Sequence, residues 1–523
     1  MILGALLGAL GEVMALELPT VRFPFALSRE VEALNFSRGG EVFPWFGWAF
    51  TTLVFVFGLF ALARLIFSRG ENPLMARRIA RFKSIKRGYY SLWLIGILLG
   101  LAGLDHVLVG DEALAVKYDG QWTYPAFTRT LERGSDYGLE GDAGLSAPNY
   151  RDLKAAFAEN DQGHRVIMPL HPFAPTDDRV AAVALPLKME GALLMNGGEK
   201  FNGLAARVYD LRKPENRLVR YRFRDGLKSG PVDGWDRGGK RVYQAHFKEG
   251  KLVAGSEKWI GEGSLEDFLA QNGSDLVQVD FSPSGISFSA ANFHPLGTTS
   301  QGYDVLSYLY GGLQVNFKAA ILYIPLVYLM GVTIGLLMGY FGGAFDLVVQ
   351  RVIEILEQMP FLFVVMIVST AVPERLKEKA GLWIIVAILA AFGWMSMTYL
   401  MRTAALKEKA RDYVAASRVI GASTPRILFR HLLPNSVAIL VTLVPFSIAG
   451  LVSALTSLDY LGFGLPAKYA TWGRLLQDGL ANTSSPWLVT SAFVCLVGLL
   501  ILITFVGEAV REAFDPKKFS YYR

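Results

Sequence analysis

The sequence predicts an all-α polytopic membrane protein carrying an α+β or β-rich insert, and three observations predict it. Long apolar stretches recur at both ends of the chain. Lysine and arginine crowd into alternate connections between those stretches. From about residue 110 to about residue 300 the apolar residues instead fall into short period-two runs bounded by Gly, Asp, Asn and Pro, as half-buried strands do. Composition agrees, since 52% of the 523 residues are hydrophobic and the mean hydropathy is +0.33. That is more apolar mass than a soluble globular domain carries.

A helix needs about 20 apolar residues to cross the hydrocarbon core. Seven segments answer to this, at 44–67, 89–108, 317–340, 360–372, 381–400, 436–457 and 487–506. The fourth is short, and the amphipathic stretch from Leu347 is expected to lend it a turn or two. Basic residues in short connections mark the cytoplasmic side. Arg69, Arg77, Arg78, Arg81, Lys83, Lys86 and Arg87 lie between the first two segments. Arg402, Lys407, Lys409, Arg411, Arg418, Arg426 and Arg430 lie between the fifth and sixth, and Arg511, Lys517, Lys518 and Arg523 follow the last. With seven spans all three groups fall on one face and the N-terminus lies outside.

The expected organisation follows. Residues 1–43 form a periplasmic segment, 44–67 an extra N-terminal transmembrane helix, and 68–108 a basic cytoplasmic linker with the first core helix. Residues 109–300 form a periplasmic insert. Residues 301–506 hold five further transmembrane helices with a cytoplasmic loop at 402–435, and 507–523 form a cytoplasmic tail. Residues 1–16 are apolar but interrupted by Glu12 and lack a basic leader. They are expected to lie at the interface or re-enter the membrane, not to be a cleaved signal.

Several function classes drop out. The pI of about 9.1 comes from cations beside apolar spans, with no aromatic-interleaved stripe, so topology explains it and a nucleic-acid partner does not. The single cysteine, Cys495, sits in an apolar run, which excludes an intrachain disulfide framework and a Cys-cluster metal site. The six histidines, including His106, His164, His171, His246 and His294, show no zinc-binding spacing. Gly234 through Gly239, Lys240 and Arg241 imitate a phosphate-binding loop, yet Arg241 replaces the needed Ser or Thr and the preceding Gly230–Pro231–Val232–Asp233 reads as a turn. No metal, cofactor or catalytic set is expected. In the insert, 114–118, 218–223, 242–247 and 276–281 read as strands, and 153–159 and 265–271 as helices.

The most informative segment is the basic loop before the sixth span. Tyr413, Val414, Ala415, Ala416, Ser417, Arg418 and Val419 form a helix of mostly small residues ended by Gly421, which can take the left-handed conformation. Beyond Ala422 and Ser423 a second short amphipathic helix begins near Thr424 and Pro425, with Thr424 as its cap and Pro425 in its first turn, and continues through Arg426. Pro434, after Leu433, is expected to stop it before the membrane. Such a small-faced helix with basic flanks suits docking into a groove on another protein.

This loop resembles the "EAA" loop of ABC importer permeases. The matching positions are Ala416, Gly421, Leu433 and Pro434, while Ala415 stands in place of Glu, Ser417 of the second Ala and His431 of Ile. The likeness extends along the chain. Asn72–Pro73–Leu74 and Gly88–Tyr89–Tyr90 resemble the lead-in to the family's first core span. Val116 through Trp122 with Tyr124–Pro125 is similar to the external segment of microcin C-type uptake permeases. His294–Pro295–Leu296–Gly297–Thr298 with Asp304–Val305–Leu306 resembles a family motif in which Thr299 and Tyr303 replace Asp and Arg. Gly339 through Gly343, Thr456 through Gly464, Thr471–Trp472–Gly473 and Gly507 through Arg511 match further stretches.

The resemblance implies a type I ABC importer permease of the dipeptide, oligopeptide and nickel family, in its C-type subunit and on the microcin C-like branch. It implies a six-helix core plus one extra span in a bacterial inner membrane, importing oligopeptides or microcin C-like conjugates. It also implies a second permease as heterodimer partner, two ATPase subunits or one fused ATPase that bind the ATP, and a periplasmic substrate-binding protein. Tyr413, Ala415, Ala416, Ser417, Gly421, Ala422, Ser423, Arg426, Leu433 and Pro434 become the ATPase-coupling residues. Two competitors differ in visible features. A membrane-anchored periplasmic binding or sensor module needs one or two spans and no docking loop. A secondary transporter would carry an inverted pair of Gly/Pro-broken segments and a buried charge relay, and neither is evident.

Overall fold

The computed structural model describes residues 2–514 except 15–22, 31–34, 39–40, 68–72, 129–131, 140–143, 145–146, 160–162, 177–182, 191–192, 197–198, 202, 210–216, 236–240, 261–264, 266–267, 269–275, 281–284 and 289–292. Two compact units emerge, Met1–Asp177 with Leu306–Arg523, and Asp178–Val305. Only the later part of the stretch expected as an insert therefore forms a unit of its own.

The first unit is helical. Its elements are α1 (Ile2–Val13), α2 (Phe23–Glu30), α3 (Trp45–Phe67), α4 (Pro73–Ser84), α5 (Lys86–Gly103), α6 (Tyr150–Glu159), α7 (Val305–Phe341), α8 (Gly343–Gln358), α9 (Phe361–Ala371), α10 (Glu374–Gly393), α11 (Met395–Lys409), α12 (Asp412–Val419), α13 (Leu433–Tyr460), α14 (Trp472–Ala481) and α15 (Pro486–Phe514). Helix lies at all seven expected positions, but among the described residues α3 and α5 are not long and apolar enough to count as spans. Val305–Phe341, Thr424–Tyr460 and Pro486–Phe514 are each long and apolar enough to cross a membrane unbroken, and α8–α9 and α10–α11 pass that test only as bent pairs. A small antiparallel sheet of Ala115–Tyr118, Gln121–Thr123 and Arg165–Ile167 also belongs to this unit.

The bends have local causes. A residue before proline is pushed out of the α region, and Met359, before Pro360, has φ −79° and ψ 130°. Val372, before Pro373, has φ −73° and ψ 127°. Prolines thus bracket α9 and hold it to 11 residues. The stretch from Leu347 does not lengthen this span as expected, because α8 leaves it at 85°. At the second break Trp394 follows Gly393, and α10 and α11 meet at 42°.

Contacts at the two ends of the bundle fix which termini lie together. Arg81 pairs with Glu512 at 3.4 Å and Arg87 with Glu508 at 3.2 Å, so the basic linker and the end of α15 share one end. At the opposite end of α5, Gln314 donates to the Ala102 carbonyl at 3.0 Å and to Asp105 Oδ1 at 2.8 Å. Both half-exposed pairs at the first end are worth little in stability, but they agree with the alternation of basic connections in the sequence.

The second unit is a twisted antiparallel sheet whose strands follow the spatial order Lys251–Leu252, Arg241–Lys248, Gly230–Trp235, Arg217–Arg224, Gly203–Val208, Val277–Asp280 and Val183–Pro186. Leu218, Val219, Tyr221, Phe223, Val232, Val242 and Tyr243 build its core. All of the strands expected within it are present, as is α6 in the other unit, whereas 265–271 lies largely outside the described residues. One reading is corrected. Gly230–Asp233 is the start of a strand, not a turn. The phosphate-loop imitation fails for another reason: a strand, Arg241–Lys248, follows it where a helix would be needed. His294 also finds its place here, its Nδ1 2.8 Å from Asp304 Oδ2, both side chains buried.

Candidate functional site: the basic loop and its braces

The loop after α11 folds back on the bundle through a buried inner side and leaves an outer side bare. Val414, Ile427, Leu428 and Leu432 are buried against Val332 and Leu336 of α7 and against Met397, Met401 and Ala405 of α11. Ala415, Ala416, Gly421, Ser423, Arg426 and Pro434 are exposed, while Tyr413, Ser417, Ala422 and Leu433 are half-buried. Eight of the ten residues expected at this site lie on the chain between α11 and α13, and Leu433 and Pro434 form the first turn of α13.

Gly421 ends α12 by the geometry its position requires. Its φ is +83°. Its N–H donates to the Arg418 carbonyl at 2.9 Å, and the Ala422 N–H donates to the Ser417 carbonyl at 3.0 Å. These two bonds are a Schellman ending, which satisfies carbonyls that the last helical turn leaves open. A Cβ added at Gly421 would meet nothing within 4 Å, so backbone conformation, not crowding, selects glycine here.

Tyr413 is the brace. Its hydroxyl donates to Glu408 Oε2 of α11 at 2.7 Å and accepts from Asn435 Nδ2 of α13 at 3.0 Å. One side chain thus ties α12 to both helices that carry it. Burial, and then the bond to Glu408, raise its pKa above the usual phenol value, so it remains a neutral donor. Arg418 and Lys409 both stand over the ring of Tyr340, at 4.9 Å and 5.8 Å, which closes the loop against the end of α7.

The descent into the membrane departs from expectation in two places. The cap of the second short helix is Ser423, one residue before Thr424, and it makes no side-chain cap bond. Pro434 does not stop that helix. The chain runs without interruption from Thr424 to Tyr460, passing through a π-helical turn at Ile427–Leu432. Proline lacks the amide and crowds the carbonyl four residues back, and the wider π turn takes up that defect.

Several residues were not picked out by sequence reasoning. Val419 is 88% and Ile420 85% exposed, at the outermost point of the loop. Phe429 is exposed as well. The signal was available: apolar side chains in a loop assigned to water have no partner in their own chain. Asp346 and Arg402, 56 residues apart, are a couple that the sequence does not announce. They form a bidentate pair, Nε to Oδ1 at 2.5 Å and Nη2 to Oδ2 at 2.6 Å, joining the first turn of α8 to α11. Among the described residues no group of three or more His, Cys, Asp or Glu side chains could hold a metal ion.

Comparison with known proteins bears on the same region. Residues 331–520 match the family described as the binding-protein-dependent transport system inner membrane component. Over 456 residues the chain is 28% identical to the inner membrane ABC transporter permease protein YejE of Escherichia coli (strain K12), covering 86% of this chain and 98% of that protein. It is 37% identical over 227 residues to the peptidoglycan transport system permease protein YejE of Agrobacterium fabrum (strain C58), covering 43% of this chain and 58% of the relative. It is 31% identical over 227 residues to the oligopeptide transport system permease protein OppC of Bacillus subtilis (strain 168), covering 72% of that protein. The family match takes in both bent helix pairs and the whole loop.

Proposed function

The chain belongs to the binding-protein-dependent transport system inner membrane components, as a multi-pass peptide permease of ABC importers, and from that premise we propose that the hairpin Asp412–Leu432 receives the movement of ATPase subunits and passes it to the bundle. One observation carries this reading: Val419 and Ile420 stand bare at the tip of a helix that is itself held rigidly. An exposed apolar pair on a braced, basic helix fits a groove on a partner and serves no purpose in water. Movement of the tip would reach α11 through Glu408 and α13 through Asn435, as a rigid-body shift.

The remaining parts follow the family logic. A second permease would complete the pathway, two ATPases or a fused one would bind ATP below, and a periplasmic binding protein would deliver oligopeptides or microcin C-like conjugates. The sheet unit would face the periplasm and offer a surface to that binding protein. A common cytoplasmic side for the basic linker and the end of α15 is supported by the pairs Arg81–Glu512 and Arg87–Glu508. The decisive experiment replaces Val419 and Ile420 together with aspartate. Each buried aliphatic side chain is worth about 1.5–3 kcal/mol at a docked interface, so ATP-driven peptide uptake is expected to fall at least tenfold while the chain accumulates normally in the membrane. Uptake within twofold of the unsubstituted protein contradicts the assignment.

A further inference from the structure

Both helix breaks open onto one cavity. It has a volume of about 370 Å³ and lies where α8 turns into α9 and α10 turns into α11, with Tyr323 of α7 and Leu451 of α13 closing its sides. That is near the low end of small-molecule sites (roughly 300–1,000 Å³) and suits one or two residues of an extended peptide, not a folded one. Its walls are apolar, from Met359, Phe361 and Phe392 among others, and its polar side chains are the Tyr323 and Ser396 hydroxyls and the carboxylate of Glu357. Arg351 pairs with Glu354, and Arg402 with Asp346. No ion-pair partner stands against Glu357 among the described residues.

We propose that this cavity is a station on the translocation path that receives an ammonium group of the peptide, with Glu357 as its counter-charge. The proposal rests on the peptide-permease reading above and names the part of the path that this reading leaves open. Glu357 is exposed, so its pull on a cation is that of a partly hydrated carboxylate beside apolar walls, and salt screens it. A single such contact still lets the substrate leave, as a path requires. Broken helices line substrate sites in membrane transporters because the break supplies room and a hinge. Here the second break is wired to the docking loop. Met395 and Ser396 line the cavity at one end of α11, and Glu408, near the other end, holds Tyr413. The 15-residue α11 therefore spans about 22 Å from cavity to brace. Motion at the loop would change the cavity wall directly.

The ammonium can come from the amino terminus or from a basic side chain, and uptake separates the two. The complete importer, reassembled in lipid vesicles with its binding protein and ATP, is offered two tripeptides with free termini, one with lysine and one with norleucine at its centre. Glu357→Gln is expected to lower uptake about tenfold, for both peptides if the terminus is read and for the lysine peptide alone if the side chain is read. Glu357→Asp, which keeps the charge, is expected to stay within about threefold of the unsubstituted protein. Gly450, whose added Cβ would meet no atom within 4 Å, also lines the cavity. Gly450→Leu places a larger apolar side chain at this wall and is expected to lower uptake of both peptides. Unchanged uptake of both peptides in Glu357→Gln overturns the proposal, and so does an equal loss in Glu357→Asp, which would mark a merely structural carboxylate. No uptake by the unsubstituted assembly would instead remove the peptide-import premise.

Discussion

Gly421→Val is expected to lower ATP-driven peptide uptake at least tenfold, whereas Gly421→Asn stays within about threefold. The reason lies in the backbone alone. At φ +83° an ordinary L-residue costs roughly 1–2 kcal/mol, a β-branched one is a genuine outlier, and asparagine is among the residues that tolerate the region. No side chain stands within 4 Å of the added Cβ, so the chain itself gains no collision from either substitution. Valine would relieve its strain by undoing the two closing bonds to Arg418 and Ser417, and the tip carrying Val419 and Ile420 would swing away from the direction in which Tyr413 holds it. Uptake measured in cells or vesicles, together with substrate-stimulated ATP hydrolysis, checks this. An Asn variant as inactive as the Val variant would assign the defect to crowding against a partner and remove the conformational argument.

Asp346→Ala is expected to be the more damaging change to the chain's stability. Asp346 is buried and holds Arg402 by two short bonds. Arg402 is only half-buried, so removing its partner costs less than in a fully buried pair, about 1–3 kcal/mol, still a sizeable share of the roughly 5–15 kcal/mol by which folded proteins are stable. The first turn of α8 adds to this, since its helix dipole favours a carboxylate at that position. The double variant Asp346→Ala with Arg402→Met should recover much of the loss, because both charges are then gone. Thermal unfolding midpoints of the purified variants decide it. A double variant no more stable than the single would mean that the pair matters through its geometry and not through its charge balance.

How much of this was legible in the sequence depended on which force decided each feature. Five of the seven expected spans pass as membrane-crossing helices, two of them as bent pairs, and these were legible because hydropathy dominates in the bilayer. The limits of α9 were legible because Pro360 and Pro373 dictate the conformation of the residues before them. Gly421 was legible because few residues other than glycine end a helix in the left-handed region. Features set by tertiary compensation were not. Gly230–Pro231 looks like a turn, yet Pro231 lies beyond the pairs that its strand makes with Arg217–Arg224, Val219 with Gly234 and Arg220 with Asp233, so its missing amide removes no bond of that ladder. Pro434 looks like a stop, yet a π turn carries the helix past it. The cavity at Glu357 had no linear signature, since it arises only where two separate helix breaks meet.

The central claim is that Asp412–Leu432 is a docking element through which ATPases drive this permease. The most direct measurement is to tag the chain, extract it in mild detergent with an ATP analogue present, and identify what accompanies it by mass spectrometry, comparing the unsubstituted chain with Val419→Asp/Ile420→Asp. A second multi-span permease recovered with both forms, and ATPases with intact phosphate-binding loops recovered with the first form alone, is the predicted result. Recovery of the chain without ATPases in several mild detergents, or ATPases held equally by both forms, would contradict the account.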